Sequence, residues 1–273
     1  MRSWWPRKDT GNRARLDVTQ SPTTHPATSP AAATGTHPDD RPGVLRGGAV
    51  LTLQTRQAQR LVKGRSYSAD KPAIIGLIGF ANLVRSVWHG ARADDPYADW
   101  WMLKIHEALE QAKRELSGLE REVGARLEGL DALEVALPAS TKPARVSLNF
   151  SNPYAFHAAR VIGAFDALVC KVLSARHVGL LARDEAEGML HQGGRVVRRA
   201  LQSPVGYRFL GVTRRDLAQG TAKALQAIEV MGEVPGDVLV GTCRAPHAPT
   251  AVDQPRENPL TDPTSLRPLP NLG

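Results

Sequence analysis

Cysteine, aromatic residues and long apolar runs are all scarce in this 273-residue chain, and each shortage closes a class of function. Cys170 and Cys243 stand far apart, the first in an apolar helical run, so neither a disulfide framework nor a zinc site is expected, which fits a reducing cytoplasm. Aromatics make up 5% of the residues, too few for a platform on which single-stranded bases stack. No stretch is apolar for long enough to span a bilayer. Trp4 and Trp5 lie near Arg2 and Arg7, but no apolar segment follows them, so neither an export signal nor a membrane anchor is expected. Catalytic signatures are missing too: there is no Walker loop, no G-x-G-x-x-G after a strand, no G-x-S-x-G elbow and no H-E-x-x-H. His89, His106, His157, His177, His191 and His247 show no metal-ligand spacing. The expectation is a non-catalytic protein without metal or cofactor.

What is present is a real core and an excess of positive charge. Apolar residues form 42% of the chain, and the net charge of +8 with a pI near 9.9 favours an anionic partner, nucleic acid before an acidic membrane surface. Residues 1–47 are rich in Pro, Thr, Ala and Arg without apolar periodicity and read as a disordered arm. Residues 48–249 read as one helical domain, and 250–273 as a disordered tail.

Within that domain the longest pattern begins at Asp94. Asp95 occupies an N-cap position and Pro96 the first helical position, where its missing N–H costs nothing. Ile105, Leu109, Ala112, Leu116, Leu119, Val123 and Leu127 then recur in steps of mostly three and four, with Glu110 placed to pair with Arg114. Such a helix is roughly 50 Å long at about 1.5 Å per residue, so a second helix of its own domain or a second subunit must cover the stripe. Ile105, Leu109, Leu116, Leu119 and Val123 are therefore candidates for a dimer or partner-helix contact. Asp94, Asp95 and Asp99 at its start are read as capping acids rather than as a cation site.

Further helices are expected from Thr55 to Gly64, from Pro72 through Trp88 in a central position, and from Pro153 through Leu173. Another runs from about Arg183 to Leu190, broken at Gly193-Gly194 and resumed with Arg195, Arg198 and Arg199. A last one is capped by Thr213 and continues to Met231.

Two short segments alternate instead. Around Ala49–Thr55, Leu51 and Leu53 face one way and Thr52 and Gln54 the other. Around Arg145–Phe150, Val146, Leu148 and Phe150 oppose Arg145, Ser147 and Asn149. Paired antiparallel, they make a small ribbon of the kind that fits the major groove. Thr52, Gln54, Arg56, Arg145, Ser147 and Asn149 are then candidate base readers, because Gln, Asn, Arg and Ser/Thr suit base edges. Ser151 and Asn152 open a helix whose free N–H groups suit phosphates, as do Arg195, Arg198 and Arg199. A half-exposed antiparallel pair also turns polar residues to solvent without binding anything, so both readings stay open.

Several strings carry a family likeness. Leu51-Thr52-Leu53-Gln54-Thr55-Arg56, Lys71-Pro72-Ala73-Ile74-Ile75-Gly76-Leu77, Asp94-Asp95-Pro96-Tyr97-Ala98-Asp99-Trp100-Trp101, Asn152-Pro153-Tyr154, Arg176-His177-Val178-Gly179-Leu180, Met231-Gly232-Glu233-Val234-Pro235 and Arg244-Ala245-Pro246-His247-Ala248-Pro249 resemble a family of integrating conjugative element proteins. That family looks related to AcaB-like transcriptional regulators of conjugative transfer, themselves similar to ribbon-helix-helix proteins. The resemblance implies double-stranded DNA as partner, a homodimer and no catalysis. Ribbon-helix-helix domains take one strand from each subunit, whereas this chain offers two of its own. A structural or adaptor protein of the conjugation machinery, binding other mobile-element proteins, is the alternative.

Overall fold

In the computed structural model, residues 48–129 and 135–251 are described; the expected arm and nearly all of the expected tail lie outside them. The elements run β1 (Ala49–Leu53), α1 (Arg56–Lys63), α2 (Leu77–Arg92), α3 (Pro96–Glu128), β2 (Ala144–Leu148), α4 (Pro153–His177), α5 (Arg183–Leu201), α6 (Arg214–Gln219), α7 (Ala222–Met231) and α8 (Gly236–Leu239). The described residues are mainly helical with one two-stranded sheet, as the periodicities predict. β1 pairs antiparallel with β2 of the same chain, with Thr52 opposite Arg145 and Val50 opposite Ser147.

The centre of the fold is α4. Asn152 caps it through Oδ1, which accepts from Ala155 N at 3.0 Å, and Pro153 opens it. Ala158, Ile162, Leu168, Val169 and Val172 are buried around most of its circumference, where α1, α2, α3, α5 and β1 all rest against it. The central place expected for α2 therefore belongs to α4; α2 leaves Ile78 and Leu83 exposed.

The stripe of α3 is covered from within the chain. Ile105, Leu109, Leu116, Leu119 and Val123 are all at most 7% exposed, and α3 packs against α4 and α5. These five residues thus belong to the chain's own core and present no surface to a second copy. On the outer face, Arg114 bonds Gln111 and Glu110 approaches Lys113, in place of the expected Glu110–Arg114 pair.

Three helix boundaries differ from the periodicity. Residues 65–74 form a small hairpin, with Arg65 bridged to Ile74, and α2 starts only after Gly76. A Cβ at Gly64 would lie 2.3 Å from Ile74 O, so the hairpin base is pressed onto the end of α1. The expected break at Gly193-Gly194 is absent and α5 is continuous, because these glycines let it approach α4: a Cβ at Gly193 would meet Phe165 at 3.0 Å. Conversely, the helix after Thr213 is split, since Gly220 turns left-handed at φ 62° and Thr221 caps a new helix.

Candidate nucleic-acid interface

The ribbon has one face on the core and one in solvent. Leu53 and Leu148 are buried, Leu51 and Val146 half-buried, and Val50, Thr52, Arg145 and Ser147 exposed together. Its exit into α1 is pinned from α4 by Asp166, a buried carboxylate. Asp166 Oδ2 accepts from Gln54 N at 2.6 Å, and Oδ1 accepts from Thr55 N at 2.9 Å and Thr55 Oγ1 at 2.6 Å. Thr55 Oγ1 also accepts from Ala58 N, capping α1. One acid thus satisfies two amides that neither ladder nor helix would use.

Of the six candidate base readers, Thr52, Arg145 and Ser147 share this exposed face. Gln54 does not: it is half-buried past the end of β1, and its Oε1 accepts from Ser140 N at 2.9 Å, holding the connector that leads to β2. Asn149 is exposed at the opposite end of the ribbon, and Arg56 is exposed in the first turn of α1. Among the candidate phosphate contacts, Ser151 is exposed, but Asn152 is 3% exposed with its side chain consumed by capping. The three arginines of α5 diverge. Arg195 faces solvent, Arg198 lines a cleft toward α1, and Arg199 pairs with Glu115 on α3.

The acids at the start of α3 do more than cap. Asp95 Oδ1 accepts from Tyr97 N at 2.9 Å as expected, but its Oδ2 also accepts from the Tyr207 hydroxyl at 2.7 Å. Asp99 is fully buried between two arginines. Arg244 grips it in a fork, Nε to Oδ2 at 3.0 Å and Nη2 to Oδ1 at 2.8 Å, while Arg214 Nη2 donates to Oδ2 at 2.6 Å. Arg214 also binds Asp94 and donates from Nε to Leu239 O at 2.9 Å. The group is a clasp fastening residues 205–249 onto the α2–α3 corner. Among the described residues no cluster of His, Cys, Asp or Glu could hold a metal ion.

Residues 41–251 match the family model described as transcriptional regulator AcaB, which is most of the chain. The chain belongs to the AcaB transcriptional regulator family. The matched region of this AcaB-family chain contains both the ribbon and the clasp. Its fold is similar to the crystal structure of selenomethionine-containing AcaB from uropathogenic E. coli, with a TM-score of 0.51 and 16% identity over 72% of this chain and 95% of that one. Comparison with curated proteins finds no match. No helix among the described residues is long and apolar enough to cross a membrane.

Asp166, Arg214 and Arg244 organise this family member and stand outside the site residues expected from the sequence. Asp166 sits in an apolar helical run, a signal for a buried carboxylate with partners. For the two arginines no local pattern points to Asp99, which is 115 and 145 residues away.

Proposed function

We propose that this AcaB-family regulator acts on double-stranded DNA, with the outer face of the β1–β2 ribbon entering the major groove. The observation that carries the reading is the shared exposure of Thr52, Arg145 and Ser147 on a pinned two-stranded ribbon. Arg145 suits a guanine edge, and Thr52 and Ser147 suit either base type. Val50, beside Ser147, offers an apolar contact of the kind a thymine methyl accepts. Asn149 and Arg56 flank the two ends, and Ser151 and Arg195 are placed in solvent, where phosphates can be reached. The role is non-catalytic regulation of conjugative transfer of an integrating element, in the cytoplasm. A homodimer belongs to the same reading, joined elsewhere than through the buried stripe of α3.

A protein-binding adaptor of the transfer machinery is the second reading. Val50 favours it, being 51% exposed on the same face. Anisotropy titration of a duplex from the promoter of the chain's own gene, against a scrambled duplex at several salt concentrations, separates the two. The regulator binds its promoter more tightly at physiological salt, and its affinity falls as salt rises. An adaptor shows no DNA binding there, and a steep salt slope without preference indicates general coating of DNA.

A further inference from the structure

A cleft of about 690 Å³ opens between α1, the 65–74 hairpin and α5, with Phe165 of α4 among its walls. Its lining divides by chemistry. Leu61, Ile74, Phe165 and Leu190 give apolar surface, whereas Arg60, Lys71 and Arg198 bring three cations to one opening, with His191 beside them. None of the three has an acidic partner among the described ion pairs. The one acid in the lining, Glu187, is held by Arg183 at 2.9 Å. Arg65 is turned to another task, its Nε and Nη2 donating to Pro72 O at 3.2 and 2.9 Å to brace the hairpin.

The backbone keeps this space open. Gly64 and Gly76 lock the hairpin base against α1. In the facing wall a Cβ at Gly194 would stand 3.1 Å from Arg198 Nη1 and 3.6 Å from Phe165 Cζ, so the missing side chain leaves room for the guanidinium. The volume falls in the range of small-molecule sites, roughly 300–1,000 Å³. Three cations without acidic partners in the lining of one cleft exceed what one carboxylate needs and suit a phosphate dianion. The backbone of a duplex would use the cations but has no apolar body for Leu61, Ile74 and Leu190 to cover.

We propose that this cleft binds a small phosphorylated ligand of the nucleotide class, with its phosphate on Arg60, Lys71 and Arg198 and its base against the apolar wall. The site is separate from the ribbon, and the proposal does not rest on the DNA reading.

Isothermal titration of the full chain with nucleoside monophosphates, the matching nucleosides, inorganic phosphate and a DNA duplex tests it. At least one monophosphate binds about tenfold or more tightly than its nucleoside and than inorganic phosphate. Arg198→Gln and Lys71→Gln each weaken it about tenfold, while Arg145→Gln leaves it unchanged. Lys71 is exposed, so its variant remains readable if Arg198→Gln does not fold. The proposal is overturned if no monophosphate binds at millimolar concentration, if inorganic phosphate binds as tightly, or if both cleft variants bind nucleotide like the parent. It is also overturned if the cleft variants lose duplex affinity and no nucleotide affinity, which would make the cleft a DNA-backbone contact. Failure of Arg145→Gln to alter duplex binding counts against the ribbon alone.

Discussion

Asp95 is at once a hydrogen-bond acceptor and a buried carboxyl, and accepting holds its pKa down while burial drives it up. Burial pushes its carboxyl from 3.8 up to about 6, against the Tyr207 hydroxyl and the amides of Tyr97 and Ala98, with the charge of Asp99 adding to the rise. Burial, then the charge of Asp95, likewise raises the Tyr207 hydroxyl, which stays a donor at all ordinary pH. Because the folded state holds the Asp95 proton more tightly than the unfolded state, its contribution to stability is full below about pH 3.8 and lost as pH rises to about 6. Asp95→Asn keeps the cap and removes that dependence. Relative to the parent it is expected to show a flatter stability profile between pH 4 and 6, measured by urea unfolding. Asp99 is held by two arginines. Arg244→Ala leaves the fully buried carboxylate with Arg214 alone and is expected to cost on the order of 3 kcal/mol, whereas Asp99→Asn in the same background recovers part of the loss. Equal midpoints for Arg244→Ala and the parent in urea would show the clasp to be dispensable.

At the scale of elements, what was legible in the sequence was what is local. The Thr55 and Thr213 caps and the Asp95-Pro96 and Asn152-Pro153 starts appear where local pattern places them, whereas the two strands end two residues short of their alternation, at Leu53 and Leu148. Glycine misled in both directions. Gly193 and Gly194 look like a helix break but are the contact surface of α5 with α4, and their helical cost of about 1 kcal/mol each is set against close packing on Phe165 and Leu168. Gly220, by contrast, does end a helix, through a left-handed turn invisible in the apolar spacing that continues past it. Strand parity alone puts Gln54 on the polar face, yet β1 stops one residue earlier and the Gln54 side chain accepts from Ser140 N. The stripe of α3 gave the pattern but not its partner, because periodicity is the same for a second subunit and for α4. Leu116→Ala is therefore expected to cost about 2–5 kcal/mol, through the cavity it leaves, without altering sedimentation. A change in association state with little loss of stability would return that helix to an interface.

On the scale of the whole molecule, the lysines and arginines of the described residues are not gathered into one surface. Some are paired with acids inside, as Arg214 and Arg244 are, and others brace α3 against its neighbours through Lys171–Glu120, Arg199–Glu115 and Arg126–Glu185. A remainder lies at the ribbon and in the cleft beside α1. Composition alone pointed to an anionic partner, but only the fold separates the cations that are spent on structure from those that are not. The proposed DNA contact rests on the ribbon, where Arg145 is exposed on a two-stranded face anchored by Asp166. The decisive measurement is the ratio of affinities for promoter and scrambled duplex, at one salt concentration near physiological, in the parent, Arg145→Gln and Arg195→Gln. The parent is expected to prefer its promoter. Arg145→Gln should reduce that ratio about tenfold or more, while Arg195→Gln weakens both duplexes alike and leaves the ratio in place. An unchanged ratio in Arg145→Gln, or no promoter preference in the parent, would contradict the ribbon as the reader of DNA.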